Sequence, residues 1–150
     1  RLESGEFVQG LAVPLAAMKR QVRAYKISKR FDCDISALCA GLAIELDGDD
    51  RVKAVRLAFG GMAATVKRAA AAEAALLGQP WDEAAVVRAQ MALAQDFQPL
   101  SDMRARAAYR LQVAQNLLRR FWLETRASDP LPASATSVFS VLPHATSDGD

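Results

Sequence analysis

The sequence is poor in the residues that metal centres and nucleophilic active sites require. Its 150 residues include one histidine, His144, and two cysteines, Cys33 and Cys39. Two cysteines at this spacing fit neither a zinc nor an iron–sulfur ligand set, so we expect two reduced thiols. His144 lies in a terminal stretch rich in Ser, Thr, Pro and Asp, where a solvated side chain is expected. Because no carboxylate pair is placed for acid–base work and no Ser or Cys has a nearby base, we predict no self-contained active site.

Long apolar runs and a strong net charge are also missing. The longest apolar stretches, such as residues 38–44, are far too short to span a membrane. A net charge of +2 gives no reason to expect nucleic acid or an anionic membrane as a partner. The polar opening residues 1–6 are not followed by the apolar segment of a signal peptide, so we expect a cytoplasmic protein. The first residue is not Met, and we expect a fragment of a longer chain.

The N-terminal half contains two extended segments, a basic segment and a hairpin signal. Residues 7–15 predict a strand that ends at Pro14, since proline is tolerated at strand ends. Residues 35–46 and 52–59 are apolar or alternating and flank an Asp-Gly-Asp-Asp turn, which predicts an antiparallel hairpin. The basic segment lies between residues 7–15 and 35–46, and its cations are Lys19, Arg20, Arg23, Lys26, Lys29 and Arg30.

The C-terminal half predicts helices and then a tail. Asp82 and Glu83 are placed to begin a helix over residues 82–96, because carboxylates in a first turn favour the helix dipole. Ser101 is a candidate N-cap for a second helix that runs to about residue 125. This helix has an apolar stripe formed by Tyr109, Val113, Leu117, Phe121 and Trp122. Residues 65–77 include a run of alanines with strong helix propensity, and residues 127–150 show little periodicity.

Each candidate chemical feature has a plain structural alternative. The basic segment could contact a flavin pyrophosphate or nucleic acid, but a charge run is usually a solvated face. Gly60 and Gly61 lack the helix start that a phosphate cradle needs, so a turn at the end of the hairpin is favoured. Asp102 and Arg104 fit a helix-capping acid and a surface arginine better than an interface ion pair. The aromatic side chains at helical spacing are more often core than cofactor platforms.

Several short motifs nevertheless occur in an order that resembles one family. They are Pro14, Tyr25-Lys26, Arg30, Asp34-Ile35-Ser36, Phe59-Gly60-Gly61-Met62-Ala63, Glu73 with Leu76 and Gly78, Pro99-Leu100-Ser101-Asp102-Met103-Arg104, and Tyr109-Arg110. Over about residues 5–126 this order resembles the C-terminal domain of the flavoprotein units of molybdenum hydroxylases. It is most similar to the FAD-binding small subunit of bacterial xanthine dehydrogenases. Carbon monoxide dehydrogenase flavoproteins share the Gly-Gly and Ser-Asp-Met-Arg features.

The resemblance implies an α+β fold, with a three-stranded antiparallel sheet packed by two to three helices and a flexible C-terminal tail. Residues 1–15 are then expected to be the last strand of an upstream FAD-binding subdomain. Residues 16–126 correspond to the C-terminal domain, and residues 127–150 to a disordered tail. The family pattern also places a third antiparallel strand at about residues 68–77. We predict this strand over the helix that the alanine run favours.

The resemblance also implies a function that this sequence does not carry alone. In the family, FAD takes electrons from 2Fe–2S clusters and passes them to NAD, while purine hydroxylation occurs at a molybdopterin centre in a large subunit. The glycine-rich flavin loop and the cluster cysteines are missing here, so the expected partners are upstream FAD and iron–sulfur domains and the molybdenum-binding large subunit, in an oligomer of heterodimers. Two family contacts to FAD match Lys26 and Val8. The alternative is a non-catalytic docking module of a related carbon monoxide or aldehyde dehydrogenase.

Overall fold

The computed structural model describes residues 2–15, 20–30 and 35–137. Within these residues a single antiparallel sheet lies against three α-helices. In chain order the elements are β1 (Gln21–Ile27), β2 (Leu38–Leu46), β3 (Val52–Gly60), β4 (Lys67–Arg68), α1 (Ala70–Leu76), α2 (Glu83–Asp96) and α3 (Ala107–Thr125). The strands are neighbours in sequence order, and each pair is antiparallel. The predicted α+β class is confirmed, with four strands instead of three.

The central hairpin, β2 and β3, forms where the sequence predicts it. Leu42 lies opposite Leu57, and Ala40 lies opposite Phe59. The connecting turn is closed by the Asp47 carboxylate, which accepts hydrogen bonds from the backbone N–H groups of Asp49 and Arg51 at 2.9 Å each. These two bonds satisfy backbone donors of the turn, beside the backbone hydrogen bond from the Asp47 N–H to the Arg51 oxygen at 2.9 Å.

The strand predicted over residues 68–77 is wrong. Only Lys67 and Arg68 form β4, and the chain then turns into α1. The helix agrees with alanine propensity. Its first turn is also stabilised by the Asp96 carboxylate, which accepts hydrogen bonds from the N–H groups of Ala71 and Ala72 at 2.9 and 3.0 Å. The remaining long strand of the sheet is β1, which lies in the basic segment.

The strand predicted over residues 7–15 is also absent from this structure. Residues 7–14 have no regular secondary structure, and no strand of the sheet pairs with them. Phe7 and Leu11 are 79% and 91% exposed. A strand needs a hydrogen-bonding neighbour, and the described part of the chain offers none to this segment. Its assignment to an upstream subdomain stays a prediction.

The second predicted helix begins later than expected. Asp82 caps α2 as predicted, accepting from the Ala85 N–H at 2.8 Å, but Ser101 is not the N-cap of α3. The first helical residue of α3 is Ala107, whose N–H donates to the Ser101 hydroxyl oxygen at 2.9 Å across an intervening loop. The loop forms because the Asp102 carboxylate binds N–H groups within it, so these residues cannot continue the helix backwards.

The core lies between the three helices and one face of the sheet. It is built from alternate residues of β2 and β3 together with the inner sides of the helices. Trp81 and Phe121 pack edge to face in it, with ring centroids 5.9 Å apart. The other face of the sheet carries no helix among the described residues. Of the tail predicted over residues 127–150, residues 127–137 are described, and they include a short 3₁₀ helix, Ala133–Thr136. Residues 138–150 lie outside the described residues.

Candidate functional site

Lys26 stands on the open face of the sheet, at the end of β1. The strand alternates, so Tyr25 and Ile27 face the helices while Lys26 is exposed on the opposite side. Lys26 lies opposite Cys39 of β2, and Cys39 lies opposite Gly60 of β3. Among the described residues no hydrogen bond or ion pair engages the Lys26 ammonium. This cation is therefore available to a group from outside the described part of the chain.

The open face around Lys26 is made of small side chains. Ala24, Gly41 and Ala58 form one row across the sheet, next to the row of Lys26, Cys39 and Gly60. A methyl group added at Gly41 would meet no other atom within 4 Å. Small residues on three neighbouring strands give a flat surface, which can accept a planar group or another layer of protein.

The other described cations of the basic segment differ from Lys26 in having partners. The Arg20 guanidinium lies 3.5 Å from Glu45, and the Arg23 Nε lies 3.0 Å from Glu124. Lys29 donates to the backbone oxygen of Met103 at 2.7 Å. Lys19 lies outside the described residues. Arg20, Arg23 and Lys29 therefore connect β1 and its flanking residues to the rest of the domain, whereas Lys26 is the cation that the family resemblance matches to a flavin contact.

Beneath Lys26, on the helix side of β1, lies a polar cluster centred on Glu124. Its Oε2 accepts from the Tyr25 hydroxyl at 2.9 Å and from the Arg23 Nε at 3.0 Å, and its Oε1 accepts from the Arg120 Nε at 2.6 Å. Burial tends to raise the pKa of Glu124, but the hydrogen bonds from Arg120 and Tyr25 outweigh it and hold that pKa below its usual value. Burial, together with the bond to Glu124, raises the pKa of Tyr25.

Val8, the second predicted flavin contact, is not brought together with Lys26. It is 65% exposed in the segment that forms no strand, and it lies outside the core. Its predicted role depends on the upstream pairing discussed above, which stays a prediction.

Arg110 is the residue that sequence reasoning missed. It is 4% exposed and lies in the first turn of α3. Its Nη1 donates to the backbone oxygens of Ala37 and Gly61, and its Nη2 donates to the Asp102 carboxylate at 2.6 Å. The sequence pattern pairs Asp102 with Arg104, but Arg104 contributes only its backbone N–H to that carboxylate. The one signal in the sequence was that Gly61, Asp102 and Arg110 each stand in a motif of the family pattern.

The Arg110 cluster, which consists of Arg110, the Asp102 carboxylate and the backbone oxygens of Ala37 and Gly61, holds the loop that borders the surface next to β1. Hydrogen bonds from the N–H groups of Ala105 and Arg104 lower the pKa of Asp102 to about 2, with a further contribution from Arg110. The loop thus held forms one wall of a groove of about 460 Å³, and the end of β1 forms the other. The groove is lined by cations and apolar side chains, among them Lys29, Arg104, Arg106, Met103 and Tyr109.

The described residues offer no metal centre. In residues 2–15, 20–30 and 35–137 no three His, Cys, Asp or Glu side chains are grouped to hold an ion. Cys39 is a free, half-buried thiol whose sulfur lies 2.9 Å from the Ser36 hydroxyl oxygen, and Cys33 lies outside the described range. None of the helices in the described part of the chain is long and apolar enough to cross a membrane.

The described residues thus form an α+β domain with an exposed lysine, Lys26, on the uncovered face of its sheet. Comparison with known proteins gives the family. Residues 23–125 match the CO dehydrogenase flavoprotein C-terminal domain, and the chain belongs to this family. The expected resemblance is confirmed, and with it the expectation that FAD is the cofactor with which this domain is associated.

The relatives include several oxidoreductases. Xanthine dehydrogenase of Emericella nidulans is 37% identical over 131 residues, and nicotinate hydroxylase hnxS of the same organism is 35% identical over 127 residues. Each alignment covers 81% of this chain but only 10% and 9% of those proteins, so the chain spans about a tenth of their length.

The fold is also found in solved structures. Carbon monoxide dehydrogenase from Hydrogenophaga pseudoflava matches with a TM-score of 0.63 and 29% identity, over 69% of this chain and 36% of that chain. Quinoline 2-oxidoreductase from Pseudomonas putida 86 matches with the same TM-score at 21% identity, over 75% of this chain and 39% of that chain. The second likeness supports the fold alone.

Proposed function

We propose that this domain serves the FAD-binding subunit of a xanthine dehydrogenase, where it supports electron transfer from iron–sulfur clusters through FAD to NAD during oxidation of hypoxanthine and xanthine. The family and the 37% identity to a xanthine dehydrogenase support this choice. The proposal includes a cytoplasmic enzyme built as an oligomer of heterodimers, with upstream FAD and iron–sulfur domains and a molybdenum-binding large subunit.

The observation that carries the proposal is the Lys26 ammonium, which is exposed on an open sheet face and has no partner among the described residues. The small side chains of Ala24, Gly41 and Ala58 leave room for a planar ring, since a Cβ added at Gly41 would meet no atom within 4 Å. Lys26, at the border of this surface, supplies a positive charge and three N–H donors. The residues present therefore fit a flavin ring that is held mainly by another part of the protein.

The chemistry that FAD supplies when bound is reversible uptake of two electrons, which leaves negative charge on the pyrimidine side of the ring. With FAD bound at this surface, the Lys26 ammonium would supply a fixed positive charge to the ring and would stabilise the reduced form relative to the oxidised form. A charge-assisted hydrogen bond contributes about 1.5–3 kcal/mol. If all of it favours the reduced form, Lys26 raises the two-electron potential by on the order of 30–65 mV. Val8 is proposed as an apolar contact to the same cofactor.

The test replaces the Lys26 charge in the intact enzyme. Lys26→Met keeps most of the aliphatic stem and removes the ammonium, so we expect a flavin midpoint potential lower by on the order of 30–65 mV, or reduced FAD content. Lys53→Met is the matched control, because Lys53 lies near the turn at the other end of the sheet and is paired with Glu45 at 2.8 Å. If Lys26→Met leaves both the potential and the FAD content unchanged, the proposal fails.

A second candidate function is a docking module that never touches flavin. The observation that favours it is the exposure of large apolar side chains in the loop before α3: Met103, which lines the groove beside β1, is 85% exposed, and Leu100 is 82% exposed. Under this alternative, Met103→Ser weakens subunit assembly while Lys26→Met has no effect on the flavin. Substrate tests on the intact enzyme with hypoxanthine, carbon monoxide and aldehydes separate the xanthine enzyme from its relatives.

A further inference from the structure

The strand that carries Lys26 is held in place by polar contacts more than by core packing. β1 is an edge strand of the sheet and, within the described part of the chain, pairs only with β2. Its inward residues Tyr25 and Ile27 are only partly buried against the core. The Gln21 amide donates to the Thr125 backbone oxygen at 3.4 Å. The remaining tie between β1 and the helices is the cluster around Glu124.

Glu124 is nearly buried, with 9% of its side chain exposed, and it binds two residues of β1 and one of its own helix. Arg23 and Tyr25 both donate to its Oε2, and Arg120 donates to its Oε1. The Arg120 guanidinium also stacks over the Tyr25 ring, 5.0 Å from its centroid. The Tyr25 side chain is thus fixed both by its hydroxyl and by its ring.

Strand geometry connects this cluster to the opposite face. Successive side chains of a strand point to opposite sides, so a rotation or slip of β1 that released Tyr25 would also redirect its neighbour Lys26. We propose that Glu124 and Tyr25 are positioning residues that hold Lys26 towards the open sheet face. The inference rests on the proposed function, in which the Lys26 ammonium acts on the flavin.

The plain alternative is a tether that contributes stability and nothing else. The two alternatives differ in what happens once Lys26 is removed. A stabilising tether acts with or without Lys26. A positioning residue loses its effect on the flavin when the lysine that it positions is absent.

The experiment therefore uses the intact enzyme and a double-mutant cycle. Tyr25→Phe removes only the hydroxyl that donates to Glu124, so the fold is retained even if Glu124→Gln proves too disruptive. We expect Tyr25→Phe to weaken FAD retention about fivefold and to lower the flavin potential in the same direction as Lys26→Met. In the Lys26→Met background, Tyr25→Phe should cause no further change. The matched control is Glu83→Gln, which breaks an exposed α2–α3 ion pair to Arg119 at 2.8 Å and should change neither quantity.

Three outcomes overturn the inference. An unchanged flavin potential and FAD affinity in Tyr25→Phe, with Lys26→Met still effective, refutes the positioning role while the proposed function stands. An equal effect of Tyr25→Phe with and without Lys26 shows that the cluster acts by another route. An absence of effect in Lys26→Met refutes the proposed function and the inference together.

Discussion

At Gly61 a single added methyl group should lower the free energy of unfolding substantially. Its φ of +80° lies in the left-handed region, and an added Cβ would lie 2.7 Å from the backbone oxygen of Ala37 and 3.0 Å from the Arg110 Nη1. Alanine in the left-handed region costs roughly 1–2 kcal/mol. Displacing the Ala37 oxygen also weakens a hydrogen bond to a charged donor, which contributes about 1.5–3 kcal/mol. Gly61→Ala should therefore lower the free energy of unfolding by about 2.5–5 kcal/mol.

The assay is urea unfolding of the purified chain, followed by the fluorescence of its two tryptophans, Trp81 and Trp122, which are both buried. Gly41→Ala is the matched control, since Gly41 lies mid-strand with no atom within 4 Å of an added Cβ. Glycine in a strand interior is less stable than alanine by roughly 0.5–1 kcal/mol, so this control should be slightly stabilising.

Two results would refute the reasoning for Gly61. One is a Gly61→Ala variant as stable as the wild type, and the other is an equal loss in Gly41→Ala. A cycle with Arg110→Met separates the two contributions, because the backbone penalty persists without the guanidinium while the penalty through the hydrogen bond disappears.

The remaining predictions concern two carboxylates. Glu73 is buried, and its carboxylate accepts a hydrogen bond from the Leu57 N–H at 2.8 Å. Glu73→Gln should therefore lower the free energy of unfolding by about 1–3 kcal/mol in the same urea titration. The control Glu83→Gln, at an exposed ion pair, should change it by less than about 1 kcal/mol. The folded pKa of Asp102, about 2, lies below its ordinary value of 3.8, so the stabilisation it provides is present above that ordinary value and is lost as pH falls towards the folded pKa. Asp102→Asn, which cannot titrate and weakens the contact to Arg110, should therefore flatten the acid limb of the stability–pH curve; a limb as steep as that of the wild type contradicts this assignment.

The parts of the fold that could be predicted are those set by local signals. The hairpin follows from alternating side chains on both sides of an Asp-Gly turn, and the start of α2 follows from the capping carboxylate of Asp82. For residues 68–77 the local signal was also correct, and the family pattern was the wrong guide. Alanine propensity favoured the helix, and Asp96, far along the chain, supplies the hydrogen bonds that hold its first turn.

The candidate site could be predicted only in part, because long-range contacts decide which basic side chains of the segment are paired. Lys26 was singled out by the resemblance, yet nothing local distinguishes it from Arg23. The difference arises because Arg23 meets Glu124, a residue 101 positions away in the sequence. Arg110 was missed for the same reason, since its acceptors at Ala37 and Gly61 are 73 and 49 positions away.

At the row of small residues across the open sheet face, the effect of a substitution on the stability of this chain can be separated from its effect on activity in the intact enzyme. A Cβ added at Gly41 would meet no atom within 4 Å, so alanine there perturbs no contact inside the described part of this chain. A loss of activity in the intact enzyme, in a variant whose own unfolding is unchanged, would measure contacts that come from outside the chain. Unfolding measurements on the isolated chain would miss such contacts. Comparing the stability of each variant chain with the activity of the intact enzyme would show which residues of this face make them.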